Sequence, residues 1–209
     1  MDIRKILGFA FMYDLFGKII GVSDTKDKFD FVRDRVGDVT GLRILDLGCG
    51  TCYVLRHIQG EKQYVGIDMN ERYIDAAKQE FAARKTASFF CMDLNSFAEK
   101  CETEFDIVIM SGVMHHITDE EVDAAMESIK KILSTGGRFL SQDGAYTDGM
   151  NPIAKWLLAH DRGEYVRHER DWIRLMQKHW GEVHYEIRTD TLRLPYSLII
   201  FDNRQFMEQ

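Results

Sequence analysis

An α/β fold, a doubly wound and mostly parallel sheet with helices on both faces, is what this sequence predicts, and three observations carry the prediction. Short apolar runs of strand length alternate with stretches of helical spacing through the middle of the chain. One such run, Ile44 to Leu47, is followed at once by Gly48 and Gly50, which let the backbone turn sharply and approach a ligand. The last two apolar runs are joined by too few residues for a crossover helix, so they pair antiparallel.

Each element follows from its own pattern. Residues 1–20 read as a helix that is apolar nearly all round, from Ile6 and Leu7 through Phe9, Phe11 and Phe16 to Ile20. A helix of that kind must be covered, so it is expected as a lid over the site with Tyr13 pointing inward; docking on a second copy to form a homodimer, or touching a membrane-bound substrate, are the other ways to cover it. Residues 25–37 follow as a helix with Phe29, Val32 and Val36 at helical spacing. Strand 42–47 then precedes helix 52–59, strand 63–68 precedes helix 71–83, and strand 87–91 leads to a short helix near 95–99. Strand 105–110 precedes helix 119–133, and strand 137–142 is the fifth. After Asn151 and Pro152, residues 152–180 read as helical with Trp156, Leu157, Trp172 and Leu175 as anchors, and strands 182–190 and 194–202 close the sheet at seven. No repeat or linker divides the chain. The expectation is one domain over 1–209: a helical lid to 37, a cofactor core over 42–143, and acceptor-facing helices with a terminal hairpin over 144–209.

The chemistry sits at the first glycine loop. A helix beginning just after Gly48 and Gly50 offers unpaired N–H groups to a ligand. Asp68 ends the next apolar run, about 20 residues on, where a nucleotide fold places a carboxylate for the ribose hydroxyls. Tyr53 stands where a dinucleotide fingerprint requires glycine, which disfavours a pyrophosphate. Asp46, inside the strand beside the loop, repels phosphate and attracts a cation. S-adenosylmethionine carries no phosphate and two positive groups, so the residues favour it.

Here the chain resembles the class I S-adenosylmethionine-dependent methyltransferases, whose sheet is Rossmann-like and ends in an antiparallel hairpin. Asp46 to Thr51 resembles their first motif, with Gly48, Cys49 and Gly50 in the loop, and Asp68 with Met69 matches the ribose-binding position. Phe89 to Leu94 resembles the next motif, which implies Asp93 on the adenine amino group between Met92 and Leu94. Phe105 to His116 resembles the fourth-strand segment, including Ser111, and Leu133 to Leu140 the turn into the fifth strand. Cys52 departs from the pattern, standing where the family often has glycine or a small residue. The C-terminal third, with Tyr13 to Phe16, is similar to small bacterial methyltransferases of surface-polysaccharide or secondary-metabolite pathways.

Composition bounds the partners. The net charge of −7 argues against a nucleic acid held by phosphate contacts, and the Asn/Asp-Pro-Pro-Tyr segment of nucleic-acid methylating relatives is replaced by Ser111 to Met114. No signal peptide or spanning segment is read in the sequence, so a cytoplasmic protein without stable membrane insertion is expected. Cys49 and Cys52 form a C-x-x-C, read as pocket wall because a redox site leaves Asp46, Asp68 and Asp93 unexplained. Ubiquinone-type relatives carry a carboxylate–histidine metal set after strand four; here Gly112, His115 and His116 occupy it, so no metal is expected.

Methyl transfer from a sulfonium needs a nucleophile held in line and a place for one proton. His115, His116 and Asp143, at the ends of strands four and five, are the proton acceptors this reading offers. The acceptor is expected to be a small molecule, anionic or linked to a glycan or lipid, held by Tyr13, Arg162, Tyr165, Arg167, Arg193 and Tyr196. Each residue also has a plainer reading. The histidines pack the loop, Asp143 forms a turn, and the arginines pair with Asp161, Glu164 and Glu169. The expected activity is methylation of an oxygen or nitrogen; the alternative is a non-catalytic S-adenosylmethionine-binding or partner-activating subunit.

Overall fold

A computed structural model describes residues 29–160, 163–191 and 195–205. The expected helix over 1–20 with Tyr13, most of the segment leading into the second helix, Arg162 and Arg193 lie outside the described residues.

Strands β1 (Arg43–Leu47), β2 (Gln63–Asp68), β3 (Ala87–Cys91), β4 (Phe105–Ser111) and β5 (Leu133–Tyr146) are parallel, and β7 (Tyr185–Arg188) and β8 (Leu198–Arg204) close the sheet antiparallel. The order is β3-β2-β1-β4-β5-β8-β7, a seven-stranded doubly wound path. It reverses between β1 and β4, which opens a crevice at the carboxyl edge where such folds bind ligands. A two-residue strand, β6 (Arg167–His168), adds to β5 at Ala145 and Tyr146.

Helices α1 (Tyr53–His57), α2 (Glu71–Glu80), α3 (Leu94–Lys100), α4 (Asp119–Ile132), α5 (Pro152–Ala159) and α6 (Glu169–Gln177) make the connections. Of the helix expected over 25–37, the described residues 29–37 show one turn of wider helix, Val32–Val36. The central strands are buried on both faces: Leu45, Val108, Phe139 and Trp172 pack in one layer, Ile44, Tyr64, Ile109 and Leu140 in the other. Local chemistry sets several starts. Thr118 and Glu121 form a reciprocal capping box on α4, and Asn151 caps α5 with Pro152 at its first position.

Two expectations are corrected. Strand five is longer than 137–142, because Gly136 and Gly137 exchange backbone bonds with Gln205 and the far end pairs with β6. The helical stretch over 152–180 is two helices, broken where Tyr165 N–H donates to the carbonyl of His115 and residues 167–168 join the sheet.

Candidate active site

The site grows from the carboxyl ends of β1, β2, β4 and β5. After Leu47 the chain turns at Gly48, whose φ is +66° and where a Cβ would lie 2.4 Å from Val113 Cγ2. Only glycine fits both demands. The N–H of Gly50 donates to Asp68 Oδ2 at 3.0 Å, and that of Asn70 to Oδ1 at 2.7 Å. Asp68 is therefore fixed at the end of β2, half-buried, with a charge and further lone pairs at the loop. Met69 beside it is exposed.

Asp46 lies behind this loop, 3% exposed, and accepts a hydrogen bond from Tyr64 Oη at 2.5 Å. Ile44 faces Tyr64 and Asp46 faces Gly66 across the β1–β2 ladder, so the phenol leans two residues along one face to reach the acid. Burial pushes the Asp46 carboxyl up to about 7; the Tyr64 bond opposes this and the charge of Asp68 adds to it. A cation on the ligand side would offset that cost, so the pair Asp46 and Asp68 fits a ligand with an ammonium and a sulfonium.

Cys52 lies in the left-handed region, with φ 59° and ψ 51°, a conformation that glycine adopts without strain. Cys49 and Cys52 are both buried, and a Cβ at Gly66 would meet Cys49 Sγ at 2.9 Å. Their mutual hydrogen bond and burial raise the Cys49 thiol far above its ordinary range, which suits packing rather than nucleophilic chemistry.

At the third motif Asp93 caps α3, accepting from Ser96 N at 2.9 Å and Ser96 Oγ at 2.7 Å; these bonds lower its pKa. Leu94 begins the helix, and Met92 and Leu94 flank the acid, both half-buried. Ser111 ends β4 and accepts from Gln142 Nε2 at 2.9 Å.

The structure joins His115 and Asp143. Residues Met114–His116 form one 3-10 turn after β4, and Asp143 lies on β5 with no solvent exposure. His115 Nδ1 is 2.7 Å from Asp143 Oδ1, and the His115 backbone N–H donates to the same oxygen at 3.2 Å. This contact fixes the orientation of the ring. Gly163 presses on this ring: a Cβ there would lie 2.1 Å from His115 Cδ2 and 2.7 Å from its carbonyl oxygen. His116 is exposed, its ring centroid 4.1 Å from that of His115.

Two expected acceptor residues have other tasks. The Arg167 guanidinium donates to the carbonyls of Met114, Tyr165 and Ile117 and to Asp119, with its central carbon over the Trp172 ring. These donors are engaged within the protein. Tyr196 is buried beside Gly144 with Leu157 and Leu158, a packing position. Tyr165 remains exposed, next to the dyad through its N–H bond to His115. Beyond the end of β5, Tyr146, Thr147, Asp148, Met150, Lys155 and His168 line a recess of about 550 Å³. Sequence reading missed Tyr64, Val113, Gly163 and Trp172, which act through contacts distant in the chain.

Among the described residues no group of three or more His, Cys, Asp or Glu side chains converges to hold a metal ion, and no helix is long and apolar enough to cross a membrane.

A glycine loop, a carboxylate closing the second strand and a crevice at the strand-order reversal define a nucleoside-cofactor α/β domain. Residues 44–137 match the family model described as Methyltransferase domain. Over that stretch the chain carries a methyltransferase domain, and its likeness to S-adenosylmethionine-dependent methyltransferases makes S-adenosylmethionine the cofactor it fits. It is 29% identical over 140 residues to an uncharacterized methyltransferase of Schizosaccharomyces pombe, covering 59% of this chain and 49% of that protein. A ubiquinone biosynthesis O-methyltransferase of Neisseria meningitidis is 29% identical over 96 residues, 44% of this chain and 40% of its own length. The chain therefore spans half or less of the length of these relatives. The N-methyltransferase NodS from Bradyrhizobium japonicum, solved with S-adenosyl-L-homocysteine, is similar at a TM-score of 0.58 and 15% identity over 84% of this chain and 82% of that one. That likeness shows the fold.

Proposed function

We propose that this protein methylates a hydroxyl oxygen of a small molecule, with His115 as the general base and Asp143 as the group that orients it. One observation carries the reading: a histidine whose Nδ1 is held at 2.7 Å by a fully buried carboxylate at the carboxyl edge of the sheet. An amine is already nucleophilic once neutral, whereas a hydroxyl gains most from a base that takes its proton.

S-adenosylmethionine supplies an electrophilic methyl group on a sulfonium. Asp68, held by Gly50 and Asn70, would take the ribose hydroxyls, and Asp46 and Asp68 together would offset the positive charge. Asp93 with Met92 and Leu94 would hold the adenine. His115 accepts the hydroxyl proton at Nε2, and the resulting imidazolium is stabilised by Asp143 through Nδ1–H. The acceptor lies between Tyr165 and the recess at the end of β5. There Lys155 and His168 suit an anionic group on it, and Asp148, 3.2 Å from His168, limits the net charge.

His115→Gln tests the assignment. Turnover should fall by about two orders of magnitude, the usual share of a general base, while S-adenosylhomocysteine affinity stays within twofold. Unchanged turnover would remove His115 from the chemistry.

A further inference from the structure

The His115–Asp143 pair joins the 3-10 turn after β4 to β5, beside the backbone bond from Gly112 N–H to the Gln142 carbonyl at 2.8 Å. A hydrogen bond between a loop and a strand holds its geometry only if something fixes the loop against the strand. The structure shows what does. Arg167 Nη1 donates to the carbonyl of Met114 at 2.8 Å and Nη2 to that of Ile117 at 2.8 Å, one on each side of His115 and His116. The carbonyl of His115 itself accepts from Tyr165 N–H at 3.0 Å. Two carbonyls of the turn and that of Ile117 just after it are thus held by Tyr165 and by Arg167 of β6.

The other end of the connection reaches Asp143. The Arg167 guanidinium lies 4.6 Å from the Trp172 ring, and the arginine side chain is only 9% exposed. Trp172 is fully buried, and its Nε1 donates to the carbonyl of Gly144, the residue after Asp143, at 3.1 Å. Arg167 also pairs in register with Ala145, two residues past Asp143. One side chain therefore grips the turn that carries the histidine and rests on the ring that grips the strand carrying the acid.

We infer that Arg167, seated on Trp172, is the positioning residue of the His115–Asp143 pair, setting the distance and angle at which the imidazole is held. The inference rests on the reading of that pair as the catalytic base. The fork matters as much as the charge. A planar guanidinium presents donors to two carbonyls and a flat face to an indole at once, whereas a lysine ammonium keeps the charge and meets neither demand. The exposed ion pair to Asp119, 59% exposed on the acid side, contributes little to this.

The test follows the Nδ1–H proton of His115 by NMR in the protein loaded with S-adenosylhomocysteine, the signal being assigned by its loss in His115→Gln. The variants are Arg167→Lys, which keeps the charge, and Trp172→Phe, which keeps an aromatic face but removes the donor to Gly144. In the wild-type protein the proton should exchange slowly, and a wild-type proton that exchanges fast would already overturn the inference. In both variants, folded and binding S-adenosylhomocysteine within about twofold of wild type, the signal should be lost or exchange at least about tenfold faster. On an acceptor that the wild type turns over, kcat should fall by about tenfold or more with the acceptor KM little changed. A folded Arg167→Lys protein with an unchanged Nδ1–H signal overturns the inference, as does an Asp119→Asn protein that reproduces the full effect. The proton signal needs neither acceptor nor turnover. A fully active His115→Gln enzyme would thus overturn the base assignment while this readout still decided whether Arg167 positions the pair.

Discussion

Asp46→Asn isolates the energetic cost of the acid behind the cofactor loop. Asp46 is buried and its carboxyl is pushed to about 7, against an ordinary 3.8. Between those values the folded protein holds a proton that the unfolded chain has released. Folding then takes up a proton, and the stability of the cofactor-free protein falls as pH rises through that window. Above about pH 7 the full cost is roughly 4 kcal/mol at 1.36 kcal/mol per unit. Asparagine keeps an acceptor for Tyr64 and cannot ionise, so any penalty for its buried amide is the same at every pH. The stability of Asp46→Asn relative to wild type should therefore widen in the variant's favour by roughly 2–3 kcal/mol between about pH 5 and pH 8. For a domain of this size that is a relative Tm gain of about 5–10 °C, readable by calorimetry in buffers of equal ionic strength. A difference that stays constant across the range would refute the reasoning and show that Asp46 is ionised throughout.

Three further outcomes follow from the site. Asp68→Asn should weaken S-adenosylhomocysteine binding by about 2–3 kcal/mol in titration calorimetry, because it removes the charge on the ribose side and loosens the bonds to Gly50 and Asn70; unchanged affinity removes Asp68 from the cofactor site. Cys52→Gly should be more stable than Cys52→Ala by about 1 kcal/mol in urea unfolding, since φ of 59° strains any residue with a Cβ; the reverse order would contradict the left-handed backbone. Gly163→Ala should lower Tm by several degrees and disrupt the dyad, because its Cβ would lie 2.1 Å from the His115 ring. Combined with His115→Ala the penalty should shrink, whereas additive losses would place the clash elsewhere.

Strand positions were legible because a buried parallel strand writes a continuous apolar run. The segments 63–68 and 87–91 have the same bounds in sequence and structure. The cofactor loop was legible as well, since Gly48, Gly50 and Asp68 are demanded by backbone turn and charge at fixed spacing. Contacts between distant residues were not. Periodicity over 152–180 cannot register that Gly163 must pack on His115, so it reads as one helix where there are two. Arg167, among acidic neighbours in sequence, reads as a surface or acceptor charge, yet its partners are carbonyls about fifty residues away. Tyr64 reads as one more apolar strand residue, and its hydroxyl matters only because β2 lies in register beside β1. The same limit applied to the dyad: His115 and Asp143 were both expected at the carboxyl edge, while their hydrogen bond required the fold.

The most direct test of the account is transfer of a labelled methyl group from S-adenosylmethionine to a panel of phenols, hydroxy acids and amines, followed by mass spectrometry of the product. The account predicts label on an oxygen of a hydroxylated, anionic member, formed with equimolar S-adenosylhomocysteine and reduced about a hundredfold in both His115→Gln and Asp143→Asn. Label found on nitrogen alone, or equal turnover by wild type and both variants, would contradict it.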